Sequence, residues 1–85
     1  MKVLSSGVAT DSDLTTTKTR VLVATLTPAA AVSTAIIKNA TTTLWALQAA
    51  ASGDSETVYF PDGLMCGTKL TVTVTGAGAV LYVGV

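Results

Sequence analysis

The sequence predicts an all-β fold: a small antiparallel β-sandwich of six to eight strands, of jelly-roll or Ig-like type. Three observations carry that expectation. First, 16 Thr and 11 Val stand among 85 residues, and such stiff, β-branched side chains pack best on a pleated surface. Second, short runs of alternating apolar and polar residues are punctuated by turn signals every ~8–12 residues, the spacing of a sandwich or small barrel. Third, no helix-length spacer separates the runs, which disfavours a parallel sheet.

The elements follow in order. Residues 1–19 suit an N-terminal arm or a short edge strand, with Asp11-Ser12-Asp13 as a polar connection. Residues 20–85 form the core of a single domain. Thr19 through Thr27 reads as a strand stopped by Pro28, and Ala31 through Lys38 as another, ended by Asn39. Thr42 through Ala49 is ambiguous. Leu44 and Leu47 fit the i,i+3 stripe of a helix, whereas the threonines at 41–43 and the following Ser52-Gly53-Asp54 favour a strand entering a hairpin. The strand is the reading adopted.

Ser55 through Phe60 forms the next strand, closed by Pro61-Asp62-Gly63, in which Pro61 pre-sets its backbone angle and Gly63 tolerates a positive one. Thr68 through Thr75 alternates cleanly, sending Leu70, Val72 and Val74 to one face and Thr71, Thr73 and Thr75 to the other. Gly76-Ala77-Gly78 then turns the chain, and Ala79 through Val83 returns as the antiparallel partner. Segments 68–75 and 79–85 are therefore expected to pair as a C-terminal Thr/Val hairpin.

Composition narrows the function. The chain has five basic and five acidic residues, no histidine, and Cys66 as its one cysteine. No disulfide framework, Cys/His zinc site or histidine-dependent nucleophile can be built from that set. The expectation is a non-enzyme with no catalytic residue, cofactor or metal. Lys2, Lys18, Arg20, Lys38 and Lys69 are scattered along the chain, which argues against nucleic acid. No run approaches the ~18 apolar residues of a membrane helix. Met1 through Ala9 lacks a continuous apolar stretch and reads as mature protein, and the single cysteine agrees with synthesis in a reducing cytoplasm.

Thirteen alanines fill little volume, and the aromatics are only Trp45, Tyr59, Phe60 and Tyr82. Strands such as Val21-Leu22-Val23 and Ala79 through Val83 are apolar on both sides, so the second side wants a cover. Small scaffolds of this kind commonly rely on self-association. Trp45, Tyr59, Phe60 and Tyr82 are the candidate interface residues, with a sugar-stacking platform as the competing role for Trp45 or Tyr59-Phe60.

The remaining polar features have plain readings. Asp54 with Glu56 and Asp11 with Asp13 are close carboxylate pairs, read as solvated turn residues because neither has further acidic ligands nearby. Cys66 reads as a structural thiol and Gly76-Ala77-Gly78 as a turn. The Thr71/Thr73/Thr75 row could order ice only if several copies stacked, and one strand supplies it.

Several segments together resemble a known family. These are Ala35-Ile36-Ile37-Lys38-Asn39, Glu56 through Leu64, Cys66-Gly67, Leu70 through Gly76 and Ala79 through Val85. The chain from Arg20 onward resembles the small β-sandwich structural proteins of tailed bacteriophages, of the head decoration (cement) or head-fibre type. The resemblance implies a structural virion protein on the outer capsid surface. Its partners would be the major capsid protein and copies of itself, a homotrimer preferred. The alternative is a head-fibre or carbohydrate-binding module that adheres to host surface glycans.

Overall fold

The computed structural model describes residues 1–85, and the β-branched runs form eight strands and no helix. They are Val3–Ser6 (β1), Ala9–Asp13 (β2), Thr19–Thr27 (β3), Ser33–Asn39 (β4), Thr42–Ala49 (β5), Glu56–Cys66 (β6), Leu70–Thr75 (β7) and Val80–Gly84 (β8). Two four-stranded sheets result, in the orders β1-β8-β3-β6 and β2-β7-β4-β5, with every pairing antiparallel.

Pairing is nested: β1 with β8, β2 with β7, β3 with β6, and β4 with β5. That is one long antiparallel ribbon rolled into two sheets, the jelly-roll arrangement. The Ig-like alternative has a different strand order. Residues 1–19, where the sequence left open an arm or an edge strand, hold β1 along the edge of one sheet and β2 along the edge of the other.

Residues 42–49 are a strand, as the flanking threonines and the Ser-Gly-Asp turn suggest. Three other expectations need correction. The C-terminal hairpin does not form. β7 pairs with β2 and β4, and β8 pairs with β1 and β3, so Gly76-Ala77-Gly78 carries the chain from one sheet to the other. A turn of this length can join neighbouring strands or cross the ~10 Å between packed sheets, and periodicity cannot tell which.

Pro61-Asp62-Gly63 does not end a strand. It sits within β6 as a wide bulge, where Tyr59 pairs with Val23 and Leu64 with Val21, leaving only Leu22 opposite four residues. Finally, Asp11-Ser12-Asp13 is strand, not connection, because its carboxylates find partners across β7 and β4.

The core is aliphatic and thin. Leu26, Ile37, Leu70, Leu81, Val21, Val72, Val74 and Val83 are fully buried together with Ala24, Ala35, Ala49, Ala79 and Cys66. No aromatic ring is among them. Small alanine side chains between the larger aliphatic ones let the two sheets interdigitate.

The one tight hairpin is β4–β5, closed by Ala40-Thr41, with Ala40 at φ 53°. The β2–β3, β4–β5 and β6–β7 connections lie at the end of the sandwich that carries both chain termini, and the other four lie at the opposite end.

Gly76 is pinned by packing. It has φ 105°, and a Cβ there would meet Ser33 Oγ at 2.5 Å and the Val32 carbonyl oxygen at 2.8 Å. Gly76→Ala should therefore lower unfolding stability by about 2–3 kcal/mol. Gly7, with nothing near its Cβ position, should accept alanine with a change within about 0.5 kcal/mol. Urea unfolding of the two variants beside the parent checks both.

Candidate functional site: one neutral face, one ion-paired face and a basic pocket

Alternation along each strand decides what the two outer faces present. In the sheet β1-β8-β3-β6, Leu4, Leu81, Val83, Ala24, Leu26 and Val58 turn inward. The residues between them therefore face out, in rows that cross the strands. One row is Val3, Gly84, Val23 and Tyr59, and the next is Ser5, Tyr82, Thr25 and Thr57. A third holds Val80 and Thr27.

None of these rows contains a charged side chain. Tyr59 is 74% exposed, Val3 58% and Tyr82 44%. The hydroxyls of Thr25 and Thr57 hydrogen-bond each other at 3.0 Å, and those of Thr27 and Ser55 at 3.1 Å. The row thus satisfies part of its polarity internally. What remains is a broad apolar and hydroxyl surface.

The outer face of β2-β7-β4-β5 is built differently. Lys38 Nζ bonds Asp11 Oδ1 at 2.6 Å, and Lys69 Nζ bonds Asp13 Oδ2 at 2.9 Å. Thr73 donates to Asp11 at 3.0 Å and Thr71 to Asp13 at 2.8 Å. Asp11 and Asp13, read from the sequence as solvated turn residues, are anchors of a cross-strand network. Sequence spacing could not show this, since their partners lie 27 and 56 residues away. The threonine row is likewise committed: Thr71 and Thr73 serve the carboxylates, and Thr75 contacts the hydroxyl of Thr34.

The four aromatic candidates do not converge. Tyr59 and Tyr82 stand on the neutral face. Trp45 and Phe60 meet edge to face, with ring centroids 5.4 Å apart, and Phe60 packs against the core where β5 and β6 border the sandwich. Trp45 remains 44% exposed. Those two rings act as a lid over the open edge of the core.

A pocket of about 550 Å³ opens at the end of the sandwich that carries the termini. Lys2, Leu4, Leu14, Val85 and the segment 15–20 line it. Sequence reading described its cations as scattered, and the fold gathers three of them. Asp54 and Glu56 lie at the opposite end, exposed and outside any ion pair.

The titrations follow from these contacts. The hydrogen bond from Lys38, then that from Thr73, holds the Asp11 carboxyl below the usual carboxylate range, and Lys69 and Thr71 do the same for Asp13. Burial pushes the Cys66 thiol up, which leaves it a packing group rather than a nucleophile.

Comparisons with protein-family models, curated proteins and solved structures found no match to this chain.

Two outcomes are expected. Both carboxyls are depressed, so their stabilising effect is present above the ordinary carboxylate pKa and is lost as pH falls through the lower folded values. The melting temperature should hold steady near neutrality and fall below about pH 4. The double variant Asp11→Asn/Asp13→Asn should melt lower at neutral pH and show a flatter acid limb. Cys66 should resist a thiol reagent in the native protein at pH 8 and react fully once denaturant unfolds the chain.

Proposed function

We propose that this protein is a structural virion component that decorates and stabilises a tailed-phage capsid through surface contact, without catalysis. Its partners are the major capsid protein and other copies of itself, a trimer preferred. The observation that carries the reading is the set of uncharged rows on the outer face of the sheet β1-β8-β3-β6, with Val3, Val23, Tyr59, Val80 and Tyr82 in adjoining positions. Interface centres are depleted of charge and enriched in aromatic residues, and a polar rim surrounds them. Desolvating such a face against a shell costs little, because no ion loses its water.

The resemblance to phage decoration and head-fibre proteins supports the same reading, as does the jelly-roll order, which occurs among viral capsid domains. Lectin domains use that order too, and one observation favours the second reading. Tyr59 is 74% exposed beside the Thr25–Thr57 hydroxyl pair, an aromatic plane next to polar groups that can fix sugar hydroxyls. A head-fibre or carbohydrate-binding module would use it for host glycans.

Mixing purified protein with capsids that lack it separates the two. Saturable, symmetry-matched binding that raises the capsid's disruption temperature is the expected result. Tyr59→Lys should weaken that binding at least tenfold while the variant keeps its far-UV circular dichroism. Binding to host polysaccharide, with none to bare capsids, would establish the second reading in its place.

A further inference from the structure

The distribution of charge along the sandwich identifies a specific contact. Five basic and five acidic side chains cancel in sum, but they do not cancel locally. Lys38 and Lys69 are neutralised by Asp11 and Asp13 on the face of one sheet. The three remaining cations, Lys2, Lys18 and Arg20, all line the single pocket, and none has a carboxylate within 4.0 Å.

This pocket is a built feature. Leu14 and Thr15 donate their backbone N–H groups to the Leu70 carbonyl at 2.9 and 3.3 Å, and Leu70 N–H returns a bond to Thr15 Oγ1 at 3.0 Å. The hydroxyls of Thr15 and Thr19 lie 2.7 Å apart, so that one donates to the other while the second donates to the Thr17 carbonyl. Lys2 is held by two backbone bonds to Val85, at 3.0 and 2.8 Å. The alkyl stem of Arg20 lies on Gly63, at a spot that any Cβ would occupy. The backbone that carries the three cations is therefore held around a space of about 550 Å³, large enough for a short peptide segment.

The opposite end carries the complement. Glu56 pairs with Leu26 at the far end of β3, six residues from Arg20, or roughly 20 Å along a strand. Asp54 precedes it in the β5–β6 loop, and 50–57 are exposed throughout. The fifth acid, Asp62, lies in the mid-strand bulge of β6 next to Gly63, and it forms no ion pair within 4.0 Å.

We propose that the pocket is a carboxylate-binding site, and that its occupant is the Asp54-Ser55-Glu56 segment of a second copy of this chain. Lys2, Lys18 and Arg20 engage the two carboxylates, the hydroxyls of Thr16 and Thr17 supply further donors, and Leu4 and Leu14 form an apolar floor. The contact is heterologous, so copies join head to tail. They close as a ring where successive copies are rotated, and otherwise extend as a filament. Charge complementarity sets partner orientation and suppresses the like-ended encounter. The inference deepens the self-association in the proposed function by naming its contact. Its test uses no capsid, so its failure leaves the shell-binding reading standing.

Sedimentation velocity on the full chain decides it. At about 100 μM protein and ~20 mM salt the parent should self-associate, with affinity falling at least tenfold by ~500 mM salt as the charges are screened. Two charge-reversed variants, Lys2→Glu/Lys18→Glu and Asp54→Lys/Glu56→Lys, should each sediment as monomers. Both keep Arg20 on Gly63, and circular dichroism confirms that they fold. An equimolar mixture should restore association, because each variant's pocket is opposite in charge to the other variant's 54–56 segment. A monomeric parent under these conditions overturns the proposal, as does association indifferent to salt and to both reversals, or a mixture that stays monomeric. Uptake of free pyrophosphate at the pocket by a parent that remains monomeric would also overturn it, marking a small-anion site instead.

Discussion

Period-two alternation on both sheets is the constraint from which the other properties follow. Once Leu26, Leu81, Val83, Leu70, Val72, Val74 and Ile37 are committed to the space between the sheets, each outward neighbour is fixed by register. A one-residue slip in β3 or β8 would bury Thr25 or Tyr82 and expose Leu26 or Leu81. The aliphatic core penalises that strongly, and Gly76, wedged on Ser33 at the crossover between sheets, resists it locally. Surface chemistry is thus a consequence of core chemistry.

The two outer faces show how differently the same alternation can be used. On one, Asp11, Asp13, Lys38 and Lys69 neutralise each other and occupy the Thr71 and Thr73 hydroxyls. That face has settled its own polar needs. On the other, Val3, Val23, Tyr59, Val80 and Tyr82 stand in rows without a charged side chain. Exposed pairs such as Lys38–Asp11 add little to stability, so the contrast matters more for recognition than for folding.

Sequence patterns made the local structure legible and left the pairing hidden. Alternating Thr and Val from 70 to 75 marks a strand, but nothing in it says whether the partner is β8 or β4. The pairing places Gly76 against Ser33, more than 40 positions away, a contact that local pattern does not encode. Asp11 and Asp13 looked like turn residues because their stabilising lysines are remote in sequence. Pro61-Asp62-Gly63 has turn chemistry and does bend the chain, with Gly63 at φ 79°, yet pairing resumes beyond it. Of the four aromatic candidates, Tyr59 and Tyr82 reach the neutral face, whereas Trp45 and Phe60 cap the core's edge. The basic pocket was invisible, since Lys2, Lys18 and Arg20 converge only when the ends of β1 and β8 and the β2–β3 loop meet.

The proposed assembly puts the principal contact on the neutral face. Hydroxyl-radical footprinting of the free protein and of the protein assembled on capsids tests it most directly, because tyrosines report from one face and Trp45 from the sandwich edge. Tyr59 and Tyr82 should lose most of their labelling on assembly, while Trp45 changes little. Protection of Trp45, with Tyr59 and Tyr82 labelled as fully as in the free protein, would contradict it.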